Sequence, residues 1–198
     1  MAETLPQGAD DAPFTPFETA FDEAEALAIL RTAIAGAEDG ELFLERRRSE
    51  VLSFDDGRLK TASYDAGEGF GLRAVRGGAV GYAHASELSA GALSRAAETA
   101  RLAVGAGGGV MAAPPRGTNR RLYPDLDPLA EAGFAAKAAL LSEIDAWTRA
   151  ADPSVVQVTA TLATSLQEVE ILRPEGLRLA EARPLTRLNV SVIVERDG

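Results

Sequence analysis

The stretch Glu50-Val51-Leu52-Ser53-Phe54-Asp55-Asp56-Gly57 leads through a polar segment into Gly67-Glu68-Gly69-Phe70-Gly71-Leu72-Arg73-Ala74-Val75. Gly77-Gly78 and Ala79-Val80-Gly81-Tyr82-Ala83 follow. Asp56-Gly57 and Gly77-Gly78 are two-residue hairpin signals, because primed turns need φ > 0, where glycine is least strained. The segments on either side therefore read as antiparallel strands. Between the turns, Gly67, Gly69 and Gly71 fall at every second position. Side chains alternate in a strand, so these glycines leave one face bare. A bare face invites close approach, either by a helix of the same chain or by an extended peptide. Arg73, next on that face, can hold a carboxylate or help fix a subunit contact.

Working outward, Phe17 to Ala37 carries a helical pattern with Phe21, Leu27, Leu30 and Ile34 broadly on one side. Strands are expected at about 41–48, 50–55, 58–65, 68–75 and 79–85. Ser86 to Val104 reads as a helix that Ser86 or Ser89 can cap, with Leu93, Ala97, Ala100 and Val104 as a thin stripe for packing on a sheet. Residues 105–117 are rich in glycine and proline and read as a linker. Beyond it, residues 131–151 form a helical pattern with Phe134, Ala138, Leu141 and Ile144 as core face and Trp147 beside it. Alternating strands follow at 155–164, 166–173, 177–183 and 185–195. In the last, Leu188, Val190, Val192 and Val194 share one face. The expected organisation is a flexible arm at 1–16, an α+β domain at 17–104, the linker at 105–117 and a second α+β lobe at 118–198. The fold class is thus α+β: two sequential lobes, each a helix packed on mostly antiparallel sheet. The closing Arg196-Asp197-Gly198 is a turn signal after a strand, which suggests a fragment or a disordered continuation.

The 198 residues are 46% hydrophobic, enough for a sizeable core, and carry a net charge of −10. That charge argues against general nucleic-acid binding and against docking on anionic lipid. Arg46-Arg47-Arg48 is a local basic run, read as solvated strand residues paired with Glu41, Glu45 or Glu50. There is no cysteine, which rules out disulfides, thiolate nucleophiles and cysteine zinc sites. The first residues lack a secretory pattern, and no apolar run approaches the ~20 residues that span a bilayer. The expected compartment is the cytoplasm.

Reactive constellations are sparse. His84 is the only histidine, so a triad or a histidine zinc site has too few members. The Gly67-x-Gly69-x-Gly71 spacing is wrong for a dinucleotide loop. Asp55-Asp56 and Glu38-Asp39 are carboxylate pairs in expected turns, where aspartate bonds its own backbone. Glu168 and Glu170 share a strand face and read as solvent-facing.

Several segments together resemble the TldD/PmbA family. They are Ser53-Phe54-Asp55-Asp56-Gly57, Gly69-Phe70-Gly71-Leu72-Arg73 and Gly81-Tyr82-Ala83. The second half adds Leu122 to Leu129, Ile144-Asp145 and Arg183-Pro184-Leu185-Thr186-Arg187-Leu188-Asn189-Val190-Ser191-Val192, which are similar to the TldD side of the family. The resemblance implies the amino-terminal part of a zinc metallopeptidase, also known as a modulator of DNA gyrase, that acts on unfolded peptides. It implies a homodimer, or a heterodimer with a PmbA/TldE-like subunit. Such subunits hold zinc on a His-Glu-x-x-x-His helix, which this sequence lacks. No residue here inherits a catalytic or metal role, and zinc is expected only in the full-length protein.

The residues singled out are therefore Gly67, Gly69, Gly71 and Arg73, as peptide-channel or sheet-packing positions, and Asp56, Gly57, Gly77 and Gly78 as turns. The alternative is a stand-alone binding or dimerisation module without peptidase activity. A self-contained hydrolase built on the carboxylates is a weaker third reading.

Overall fold

The computed structural model describes residues 12–105, 122–124 and 126–196. The elements run α1 (Pro16–Thr19), α2 (Glu23–Ala33), β1 (Asp39–Asp55), β2 (Arg58–Arg76), β3 (Ala79–Ala85), α3 (Ala90–Val104), α4 (Phe134–Ala151), β4 (Val155–Leu172) and β5 (Arg178–Val194). The strands form one five-stranded sheet in the order β3-β2-β1-β4-β5. β2 and β3 pair antiparallel, from Phe70 opposite Ala85 to Arg76 opposite Ala79. Arg46 meets Glu168, whereas Ser53 meets Thr161, so β1 and β4 also run in opposite directions. The α+β class expected from the sequence holds.

The strands are longer than their sequence pattern suggests. β1 continues through Arg48 and Ser49, where two strands were expected, because the charges at its middle have partners. Arg48 is buried against Asp127 at 2.9 Å, and Glu50 meets the buried Lys137. Arg47 is exposed as expected, whereas Arg48 is buried, Arg46 binds Glu168 and Arg48 binds Asp127. β5 continues through Pro184, which a strand tolerates when it lies at the edge of the sheet and its missing N–H faces outward. Conversely, the helix expected over Phe17 to Ala37 is broken. Asp22 is extended and accepts a hydrogen bond from the Glu25 backbone N–H at 2.8 Å, capping a separate α2. Ser89 caps α3 in the same way through the Ala92 N–H.

The chain forms two compact units drawn from interleaved stretches. One comprises 1–46, 67–122 and 168–181; the other comprises 47–66, 123–167 and 182–198. Most of the expected arm and the linker after Gly105 lie outside the described residues. In the first unit, Leu42, Leu44, Phe70, Leu72, Ala74 and Leu172 pack against α1 to α3, chiefly Leu30, Leu93, Ala97 and Ala100. Gly81 lets α3 approach β3: a β-carbon there would lie 2.1 Å from the Ala100 carbonyl oxygen. Arg76 hydrogen-bonds the carbonyls of Ala35 and Gly36 after α2 and of Gly105 after α3. In the second unit, α4 sets Leu141, Ala138 and Ile144 on Leu52, Phe54, Ala160 and Leu162.

Candidate functional site

Strand alternation in β2 decides which way the glycines face. Phe70, Leu72 and Ala74 are buried in the helix-covered core. Gly69, Gly71 and Arg73 therefore turn to the face of β2 opposite the core formed with α1 to α3. The glycine that admits α3 is Gly81, which lies opposite Ala74. Close helix packing thus accounts for Gly81 and not for Gly69 or Gly71.

On that outer face the glycines differ. A β-carbon on Gly67 would meet nothing within 4 Å. One on Gly69 would press on the Ala85 carbonyl oxygen at 2.7 Å, and one on Gly71 would meet the Tyr82 hydroxyl at 2.6 Å. Tyr82 reaches over Gly71 from the edge strand, is 58% exposed and stacks on His84 with ring centroids 5.7 Å apart. The face is thus a shallow strip, open at Gly67 and roofed by an aromatic ring at Gly71.

Arg73 closes the strip with an ion-pair network across three strands. It donates to Asp39 at 2.6 Å and to Glu41 at 3.1 Å. Arg173, at the end of β4, donates to the same two carboxylates at 2.7 and 3.3 Å. Burial alone would raise the Asp39 carboxyl. The hydrogen bond from Arg173, the charges of Arg173 and Arg73 and the Gly40 N–H outweigh it and hold the carboxyl below its ordinary value. Burial likewise works against the Arg173 charge, but the hydrogen bond to Asp39 and the carboxylates of Asp39, Glu175 and Glu41 raise its pKa. The sequence suggested Asp39 as half of a turn carboxylate pair and Glu41 as a partner of the arginines at 46–48; both instead bind Arg73 and Arg173, and Arg173 was not singled out. The alternation of Asp39 and Glu41 along β1 was the available signal, but the partner Arg173 lies 134 residues from Asp39.

The remaining positions are structural. Asp56, Gly57, Gly77 and Gly78 have φ of 48°, 74°, 55° and 81°. Asp55 accepts from Gln157 and Thr159, and Asp56 pairs with Arg149 of α4. Glu38 accepts the Gly77 N–H at 3.0 Å. Glu170 is not solvent-facing but buried, held by Arg178 at 2.6 Å, and Glu168 is bound by Arg46. Trp147 stands 74% exposed on α4 rather than in a core. Among the described residues no three His, Asp or Glu side chains gather as a metal site. With the one histidine stacked on Tyr82, these residues do not fit a metal, and no catalytic step is assigned to them.

Two family models match this chain: PmbA/TldA metallopeptidase domain 1 over residues 40–104, and the PmbA/TldA metallopeptidase central domain over 127–198. The chain belongs to the TldD/PmbA family. It is 30% identical over 160 residues to a metalloprotease TldD homolog of Buchnera aphidicola (subspecies Schizaphis graminum), covering 80% of this chain and 33% of that protein. It is also 30% identical over 161 residues to the metalloprotease TldD homolog of Haemophilus influenzae, with the same coverage. The TldD/PmbA chain described here thus spans about a third of the length of these relatives. Its fold is shared with TldE from Thermococcus kodakarensis at a TM-score of 0.70 and 16% identity, over 87% of this chain and 40% of that one. No described helix is long and apolar enough to cross a membrane.

Proposed function

We propose that this chain is the substrate-engaging and assembly portion of a TldD-like metallopeptidase acting on unfolded peptides in the cytoplasm. The zinc and the catalytic residues would belong to the full-length protein, which pairs with a second copy or with a PmbA/TldE-like subunit. The two-lobe division at 17–104 and 118–198 is retained as part of this reading.

The observation that carries the proposal is the orientation of the glycine strip. Close packing by α3 is met at Gly81; on the outer face Gly69 lies against the Ala85 carbonyl and Gly71 under Tyr82, so the surface left open to a ligand is the stretch at Gly67. An extended peptide can lie close against such a strip because no side chain stands between it and the sheet. Tyr82 supplies an aromatic wall, and the ion-pair network of Arg73 and Arg173 with Asp39 and Glu41 closes one end.

Gly67→Val in the full-length protein tests the idea, since open space at Gly67 leaves the fold intact. Gly71→Val serves as a second variant, because the tip of Tyr82 can swing aside. Peptide turnover is expected to fall in both while the melting temperature holds. Wild-type turnover in well-folded variants would remove the strip from substrate engagement.

A further inference from the structure

Among the described residues aspartate stands directly before glycine twice, at Asp39-Gly40 and at Asp56-Gly57. Such a pair carries a reaction of its own, because glycine has no side chain to hinder attack by its nitrogen on the preceding carboxyl group. The nitrogen bonds to the aspartate Cγ. The Cγ–O bond of the protonated carboxyl breaks, and that hydroxyl leaves with the amide proton as water. The product is a five-membered succinimide, to which water then adds back. Opening at Cγ restores aspartate. Opening at the main-chain carbonyl leaves the chain running through the side chain, as isoaspartate.

The two pairs are held differently. The Asp39 carboxylate accepts from Arg73 at 2.6 Å and from Arg173 at 2.7 Å. Gly40 is packed: a β-carbon there would run into the Ile34 side chain and lie 2.9 Å from the Arg73 carbonyl oxygen. Neither the carboxyl nor the backbone has room to turn. Asp56-Gly57 is instead the tip of the hairpin between β1 and β2, with φ of 48° and 74°. The Asp56 side chain is 62% exposed, and nothing lies within 4 Å of where a β-carbon on Gly57 would stand. The Asp56 N–H is tied to the Val158 carbonyl at 3.0 Å. The Asp56 carboxylate is gripped by Arg149 of α4, which also binds Asp145 at 3.2 Å.

We infer that Asp56-Gly57 is a site of spontaneous isoaspartate formation and that Arg149 is the residue that restrains it. To close the ring, the Asp56 carboxyl must leave the guanidinium, take up a proton and turn onto the Gly57 nitrogen. Each of these movements works against the ion pair. The open space around Gly57 leaves the nitrogen free to meet the carboxyl once that pair is broken. The product adds one carbon to the backbone of a two-residue turn, and the free carboxylate is no longer the one that Arg149 holds. Conversion at Asp56 therefore loosens the tie between α4 and the hairpin tip. The glycine strip of β2 has no part in this chemistry, so the inference stands independently of the proposed function.

The full-length protein tests it. The protein is aged at neutral pH and physiological temperature, then digested and read by mass spectrometry with electron-transfer fragmentation, which tells isoaspartate from aspartate. Isoaspartate should build up at position 56 and not at position 39. Arg149→Gln should speed the conversion at 56 about fivefold, the factor that an exposed ion pair can supply. Arg149→Lys, which keeps the charge, should preserve most of the restraint. Leu141→Ala opens a cavity under the same helix and reports loss of stability alone, so it should leave the rate at 56 near that of wild type. Equal rates in wild type and Arg149→Gln would overturn the inference, as would the absence of isoaspartate at 56 from both. So would faster conversion at 39 than at 56, or an acceleration in Leu141→Ala as large as in Arg149→Gln.

Discussion

The carbonyl oxygen of Ala100 in α3 sits 2.1 Å from the point where a β-carbon on Gly81 would stand. The two backbones meet there with no room for a side chain, and the neighbour is a fixed carbonyl rather than a movable tip. Gly81→Ala must therefore push α3 off the sheet. The expected cost is about 1–3 kcal/mol, seen as a lower urea midpoint. Gly67→Ala, in open space, should change the midpoint little. Equal midpoints for the two variants would contradict the packing.

Lys137 of α4 is buried with its ammonium on Glu50 of β1 and on the Leu129 carbonyl. Removing one partner strands the other charge in a desolvated place. Lys137→Met should cost about 3–5 kcal/mol, and adding Glu50→Gln should recover part of that loss. A double-mutant cycle by chemical denaturation measures it, and strict additivity would argue against the pair.

The depressed Asp39 carboxyl makes acid stability partly a property of one network. Its folded pKa lies below the ordinary 3.8, so the charged form contributes stability above that value and loses it as pH falls through the folded pKa. Asp39→Asn should be less stable than wild type at pH 7, with the gap closing toward pH 2. Parallel stability–pH curves would show that Asp39 is not the source.

Trp147 is the only tryptophan, and it stands mostly in solvent. Its fluorescence in the folded chain should be red-shifted and readily quenched by iodide, and unfolding should change the emission wavelength little. A blue-shifted, quench-resistant signal would mean that another surface covers α4 in solution.

The strand faces were legible because alternation is local: Leu42 and Leu44, Phe70 and Leu72 mark their own inner sides. Strand lengths were not, because charges at Arg48 and Glu50 read as interruptions. Their partners Asp127 and Lys137 lie 79 and 87 residues away, and sequence does not announce such pairing. The same limit hid the outer-face network, where Arg73 could be named but Arg173 could not. The glycine periodicity of β2 was plain. Which neighbour used it was not, since that depends on where α3 lands, and α3 lands on Gly81. Trp147 was misplaced because Ala138, Leu141 and Ile144 on the same helix point inward, whereas the indole, like Phe134, which was also expected in the core face and is 45% exposed, stands outside that stripe.

Arg76 touches the carbonyls that follow α2 and α3 with one guanidinium. Each helix concentrates partial negative charge at that end. One cation thereby answers two dipoles, and the final turns of helices far apart in sequence share a single latch. Fraying of either end weakens the hold on the other, so these turns should open and exchange their amide hydrogens in concert.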